Sequence, residues 1–185
     1  MKVFFDLETM GLNESYCPIL EIAAICCEES GEVVDTFHQY INPGRAIPKE
    51  IVELTRITDE KVANCLREGA VLKNFLTWLA GLGCTTIVAH NASFDMRFLK
   101  GRTMVCGINS NNYLANIEVI DTMKLSREKI KAGKFTTIKT GNGRWSVRQE
   151  AVAQALGIEY GAGGAHSAIE DTLVLKEIYF KMKVM

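Results

Sequence analysis

The sequence predicts an α/β fold, a mixed five-stranded sheet flanked by helices. Three observations lead there. An apolar strand with an acidic end, "KVFFDLET", opens the chain. A long apolar run then turns back on itself at Glu29-Ser30-Gly31. Two more short apolar strands alternate with helical patterns. The hairpin makes one side of the sheet antiparallel, and strand–helix–strand alternation makes the other side parallel.

Residues 2–8 are the first strand, ended by a turn at Gly11. "ILEIAAICCEESGEVVDTFHQYINP" supplies the two strands of the hairpin. Pro43 and Pro48 bracket a loop; "KEIVELTRIT" makes one short helix, and "TDEKV" starts another turn with Thr58 or Asp59 as its N-cap. In "REGAVLKNFLTWLAGLG", Val71, Leu72, Phe75, Leu76 and Leu79 recur at the spacing of an amphipathic helix closed by glycine. "TTIVAHN" is a short buried strand and "SFDMRFLKGRTMVCG" a helix capped by Ser93. "IEVIDTMKL" is the fifth strand. "FTTIKTGNGRWSV" alternates around Gly-Asn-Gly, the pattern of a small hairpin within a basic insertion at about 127–146. "SVRQEAVAQALG" is helical with Ser146 as N-cap, and the final helix "SAIEDTLVLKEIYFKMK" follows the glycine-rich "GAGGAH". Without an internal repeat or low-complexity linker, residues 1–185 are expected to form a single domain.

Composition excludes several classes. With 48% apolar and 23% charged residues, the chain has the make-up of a soluble globular protein. No apolar run reaches membrane-spanning length and the N-terminus lacks a signal-peptide layout, so a cytoplasmic, intracellular protein with no membrane partner is expected. The six cysteines (17, 26, 27, 65, 84, 106) form no Cys-x-x-Cys pair and several sit in apolar runs. They read as small core residues in a reducing compartment, not as a disulfide or zinc framework. The net charge of −1 hides an asymmetry: residues 124–148 carry eight basic side chains against Glu128 alone, with Phe135 and Trp145 interleaved. An isolated run of this kind is usually a solvated connection; beside an acidic metal site it favours an arm that follows phosphates.

Such a site is suggested by the acids. Asp6 and Glu8 are two apart on a strand and share a face. Two carboxylates that close to each other and to a buried backbone need a cation or a proton. Asp95 opens the helix in "AHNASFDMRFL", and "HSAIEDTLVL" sets His166 five residues before Asp171. If His166 precedes the helix, its ring can swing over a site that Asp171 approaches from the helix. Alone, each fragment has a plain explanation: a strand end in solvent, a helix-dipole partner, a structural histidine. Together they are four oxygen ligands and an imidazole, a set suited to Mg²⁺ or Mn²⁺.

"FDLETMGL", "AHNASFDMRFL" and "HSAIEDTLVL" resemble, in order and spacing, the three exonuclease motifs of the DnaQ-like DEDD family. The His-x4-Asp spacing matches the DEDDh subclass, and "LTRITDEKV" resembles that family's Leu-Thr-x-Ile-Thr segment. The similarity spans about residues 2–180. It implies a ribonuclease H-like fold and 3′→5′ hydrolysis of single-stranded nucleic acid, releasing nucleoside 5′-monophosphates. Two Mg²⁺ ions, with Mn²⁺ able to substitute, would be held by Asp6, Glu8, Asp95 and Asp171, with Asp6 bridging them. His166 would be the general base, since imidazole ordinarily titrates near neutral pH. By the same analogy Thr9, Met10, Leu12, Ile57, Asn91 and Phe94 would shape the terminal-nucleotide pocket, and Asp121 would support structure around the site.

The basic segment replaces a plainer connection in the family, and Lys131, Lys134, Lys139 and Arg144 are expected to contact the single-stranded backbone. The chain stops at its last helix, where relatives continue into a polymerase- or clamp-binding tail, which favours a stand-alone or surface-recruited enzyme. The resemblance implies single-stranded DNA or RNA 3′ ends as partners, with a DNA polymerase or a replication or repair complex a further candidate. DNA is favoured because the motifs look nearer the proofreading branch; an RNA-trimming exoribonuclease is the alternative. An aspartate-nucleophile phosphatase fits poorly, because Glu8 stands at the second acid and His166 and Asp171 have no role in it. An inactive nucleic-acid-binding or docking module is the non-enzymatic reading, and no chemical position is missing to favour it.

Overall fold

A computed structural model of the chain describes residues 1–162 and 164–185; of the glycine-rich "GAGGAH", residue 163 lies outside the described residues. Five strands form one sheet in the order β3-β2-β1-β4-β5. They are β1 Lys2–Thr9, β2 Ile19–Cys27, β3 Val33–Tyr40, β4 Thr86–Ala89 and β5 Glu118–Asp121. β1–β2 and β2–β3 are antiparallel, β1–β4 and β4–β5 parallel. The mixed sheet expected from the hairpin and the later strand–helix alternation is therefore the observed one. The helices are α1 Lys49–Thr55, α2 Asp59–Val62, α3 Glu68–Gly81, α4 Ala92–Val105, α5 Asn111–Leu114, α6 Thr122–Lys131, α7 Gln149–Ala155 and α8 Ala168–Lys183.

The two-residue alternation of β1 divides the core. Val3, Phe5 and Leu7 point into a cluster with Leu72, Phe75 and Leu76 of α3 and Phe98 and Leu99 of α4. Phe5 stacks on Phe75 at 5.1 Å between ring centroids. Phe4, on the opposite face, meets Val88, Leu175 and Tyr179, so α8 covers that side. Asp6 and Glu8 continue Phe4's row and emerge where α8 begins. Because β1, β4 and β5 run parallel, their carboxyl ends open on one edge, where ligands bind in sheets of this kind. Among the described residues, no helix is long and apolar enough to cross a membrane, and all six cysteines are free thiols.

Several local expectations are corrected. Ser93 does not cap α4; Asn91 holds the cap position with φ 64°, and Ser93 lies in the first turn. Strand β5 stops at Asp121, whose carboxylate accepts from the Met123 and Lys124 N–H groups and starts α6 at once. "TMKL" is thus helical. Ser146 does not cap α7; Arg148 occupies that position. "KEIVELTRIT" turns out of its helix at Arg56 (φ 59°), and Thr58 caps α2. "FTTIKTGNGRWSV" forms no regular strands; a single bridge pairs Lys139 with Trp145, closed by Thr140 N–H to Arg144 O at 2.7 Å. Within the basic stretch 127–146, the first residues finish α6. Helix α5 was not anticipated.

Candidate active site

The four acids arrive on three elements. Asp6 and Glu8 end β1, Asp95 sits in the first turn of α4 just beyond β4, and Asp171 in the first turn of α8. Carboxylate oxygens of Asp6, Glu8 and Asp171 come within 4.8 Å of one another. Asp95 is buried and lines the same cleft, of about 320 Å³, as do Asn91, Phe94 and His166.

Electrostatics follow from that crowding. Burial, then the charges of Asp95, Asp171 and Glu8, raise Asp6 well above the usual carboxylate range. Burial, then Asp171, pushes Glu8 up to about 8. Burial also pushes Asp95 up to about 8, against the backbone N–H groups of Asp95 and Leu7 that favour its charged form. Asp171 is raised by burial too, opposed by hydrogen bonds from Tyr160 and the His166 N–H. A buried cluster of oxygen ligands that resists ionisation is what a hard divalent cation stabilises. The donor set therefore fits such a metal.

Asp171 is held on several sides. Tyr160 Oη donates to Oδ1 at 2.9 Å, and Gln149 Nε2 donates to Oδ1 at 3.1 Å and to the Asp171 carbonyl at 2.9 Å. The His166 N–H donates to Oδ2 at 2.9 Å. His166 has φ 66°, a conformation that costs a non-glycine residue roughly 1–3 kcal/mol. This bond supports the turn that carries its ring. The imidazole is half-exposed, with Nε2 3.8 Å from Glu150 Oε1.

Glu21 anchors α8. It pairs with Glu8 across the β1–β2 ladder, is buried, receives His38 Nε2–H at 2.7 Å and receives the Ala168 N–H at 3.1 Å. On the other side, Arg102 makes a buried ion pair with Glu68 (2.6 Å) and donates to Glu14 O at 3.1 Å. That fixes the loop after β1. Gly11 in this loop has φ 154°, and a Cβ there would lie 2.8 Å from Cys17 Sγ. Asp121 is kept from the cluster by its duties: besides capping α6, it accepts the Asn91 N–H at 3.1 Å.

The other expected residues divide. Thr9, at the end of β1, donates to Gly11 O at 2.7 Å; Leu12 is 79% exposed. Met10 is nearly buried. Ile57, expected to help shape the nucleotide pocket, is instead wholly buried among Met10, Leu20, Ile47 and Val62 and lines neither the acidic cleft nor the one adjoining it. Lys131, Lys134, Lys139 and Arg144 are all exposed. Arg144 lines a cleft adjoining the acids, whereas Lys131 and Lys134 line neither that cleft nor the acidic one. Residue-by-residue reading missed Glu21, Gln149 and Tyr160. Glu21 had a signal, as the sole acid in the nine-residue apolar strand "ILEIAAICC"; Gln149 and Tyr160 had none.

Comparison with known proteins agrees with this architecture. The RNase_T family, described as exonuclease, matches residues 3–179. A DNA polymerase III PolC-type of Oceanobacillus iheyensis is 41% identical over 126 residues, 68% of this chain and 8% of the relative. The Staphylococcus aureus polymerase of the same name is 35% identical over 182 residues, 97% of this chain and 11% of the relative. The chain thus spans about a tenth of the length of these relatives. A crystal structure of Escherichia coli exonuclease I in complex with a dA16 oligonucleotide superposes with TM-score 0.84 at 19% identity, over 99% of this chain and 40% of that one. At that identity the likeness is one of fold.

Proposed function

The chain belongs to the RNase_T exonuclease family, and from that premise we propose that it is a metal-dependent 3′→5′ exonuclease acting on single-stranded nucleic acid, with DNA favoured. The observation that carries the reading is the meeting of Asp6, Glu8 and Asp171 oxygens within 4.8 Å, with Asp95 in the same cleft. The preference for DNA rests on the relatives, which are DNA polymerases. A polymerase or a replication or repair complex is accordingly the proposed protein partner.

Asp6, Glu8, Asp95 and Asp171 would hold two Mg²⁺ ions, or Mn²⁺ in their place. Cations bound there supply Lewis acidity and neutralise charge on the phosphodiester. The imidazole of His166 accepts the proton of the attacking water. The water's oxygen joins phosphorus as the bond to the 3′ oxygen of the preceding nucleotide breaks; that oxygen takes a proton from solvent to become a 3′ hydroxyl, and a nucleoside 5′-monophosphate leaves. Glu150, 3.8 Å from the ring, stabilises the imidazolium formed. Gln149 and Tyr160 keep Asp171 aimed. Leu12 and Phe94 offer apolar surface to the terminal base, while Thr9, Met10 and Asn91 shape its surroundings.

The test uses 5′-labelled single-stranded DNA and RNA with Mg²⁺, Mn²⁺ or chelator. A ladder of 3′-shortened DNA that needs metal is the expected result. No shortening of either polymer, or shortening indifferent to chelator, would overturn the proposal; shortening of RNA alone would overturn the choice of DNA.

A further inference from the structure

A second cleft, of about 750 Å³, adjoins the acidic one and shares His90, Asn91, Gln149, Glu150 and His166 with it. Its chemistry is different. Arg127, Arg144, Arg148 and Trp145 line it, and Glu150, on the wall common to both clefts, is its one acid among the described residues. None of these arginines forms an ion pair with a described residue. Trp145 is 40% exposed. Positive groups facing a cleft beside a partly exposed indole suit a polyanion that also carries aromatic faces.

Hydrogen bonds tie the walls of this cleft to the sheet edge. His90, just beyond β4, bonds through Nε2 to Val147 O at 2.8 Å and through Nδ1 to Thr122 Oγ1 at 2.9 Å. It thereby ties the segment after Trp145 to the edge that carries the acids. Thr137 Oγ1 donates to Ser146 O at 2.6 Å and the Ser146 N–H to Ile138 O at 2.8 Å, closing the base of the 137–146 turn. Lys139 Nζ stands 5.0 Å from the Trp145 ring centroid.

We propose that this cleft is the track for the single strand behind its 3′ end, with one base stacked on Trp145 and successive phosphates met by Arg144, Arg148 and Arg127. The proposal rests on the exonuclease reading and goes beyond it by routing the strand through these arginines, away from Lys131 and Lys134. Stacking on an aromatic side chain is indifferent to base identity, as removal of successive nucleotides requires. Guanidinium groups can grip each phosphate through paired donors.

The test measures binding of a labelled 12-mer, DNA or RNA, in chelator across a salt series. Trp145→Ala should bind roughly tenfold more weakly, and Trp145→Phe should regain most of the loss. Replacing Arg127, Arg144 and Arg148 together by Ala should flatten the slope of log affinity against log salt by about 2. Wild-type affinity and slope in both the Trp145→Ala and the triple variant would overturn the track; if the alanine variant does not fold, the triple variant and its slope decide. Mn²⁺-dependent shortening of the same 12-mer separates the two readings. Shortening by every variant at wild-type affinity removes the track alone, whereas weakened variants without shortening by the parent remove the exonuclease reading and leave the track as a binding site.

Discussion

The Tyr160 hydroxyl donates to Asp171 Oδ1 at 2.9 Å and itself accepts from Gln149 Nε2 at 3.3 Å. Ten residues separate the two side chains in sequence, and the loop between them carries His166. The bond therefore joins the start of α8 to the residues that follow α7. Partners of this kind set the aim and basicity of a metal-binding carboxylate. Tyr160→Phe is expected to weaken Mn²⁺ activation of cleavage about 10- to 100-fold, while costing only about 1 kcal/mol of stability. Metal titration of the rate and urea unfolding would check both; an unmoved Mn²⁺ midpoint would refute the role.

Glu8→Gln keeps shape and removes one charge from a crowded site. Burial and Asp171 push Glu8 up to about 8, so the carboxylate costs the metal-free fold stability that the amide does not. The variant should melt several degrees higher than the parent in chelator at pH 8.5 and lose cleavage. Retained activity would remove Glu8 from the metal set.

Metal-free stability should fall as pH rises. Glu8 and Asp95 ordinarily ionise near 4.5 and 3.8 but are pushed up to about 8 in the fold. Between those values the native state binds more protons than the unfolded chain, so unfolding becomes easier with each step of pH. The stability is fully present only below about pH 4, drains away towards pH 8 and levels off above it. Added Mg²⁺ favours the ionised acids and should oppose the trend. Melting curves from pH 5 to 9, with chelator and with Mg²⁺, test the sign; a rise with pH in chelator would contradict it.

His166 combines a left-handed backbone with a half-exposed ring. Its replacement by Gly removes the imidazole and relieves the backbone. His166→Gly should slow cleavage by about 10²- to 10⁴-fold yet melt no lower than the parent. His166→Ala should be equally slow and somewhat less stable than the glycine variant. Rates within tenfold of the parent would end its assignment as base.

Arg102 and Glu68 form a buried ion pair, and Glu68 also receives the Ile19 N–H at 2.8 Å. Removing one partner strands the other charge, so Arg102→Ala should lose roughly 3–5 kcal/mol in urea unfolding. A loss below 1 kcal/mol would show that the pair is replaceable by water.

The elements that could be read in the chain are those set by local period. The β1 acids, the hairpin and the α3 pattern of Val71, Leu72, Phe75, Leu76 and Leu79 all lie where their spacing puts them. Misreadings cluster at boundaries. Residues 117–121 and 122–125 look continuous as letters, but Asp121 turns its carboxylate on the next N–H groups and converts strand to helix. Ser93 loses the α4 cap to Asn91, which adopts a left-handed backbone more readily than most residues. Ile57 sits in a motif-like segment, yet packing against Met10, Leu20, Ile47 and Val62 covers its whole surface. The long-range bonds of Gln149, Tyr160 and His90 leave no local trace, because each partner is an ordinary polar residue until the fold brings it near.

The side-chain alternation of β1 makes the opening of this chain sensitive to length as well as to composition. Inserting or deleting one residue between Val3 and Phe5 would slide the later half of the strand by one step, turning Asp6 and Glu8 into the Phe75 layer and Leu7 out beneath α8. Genetic drift here should therefore admit many substitutions among apolar letters but no odd-numbered indels, a pattern that saturation insertion scanning of codons 3–5 would expose as a sharp gap in viable variants.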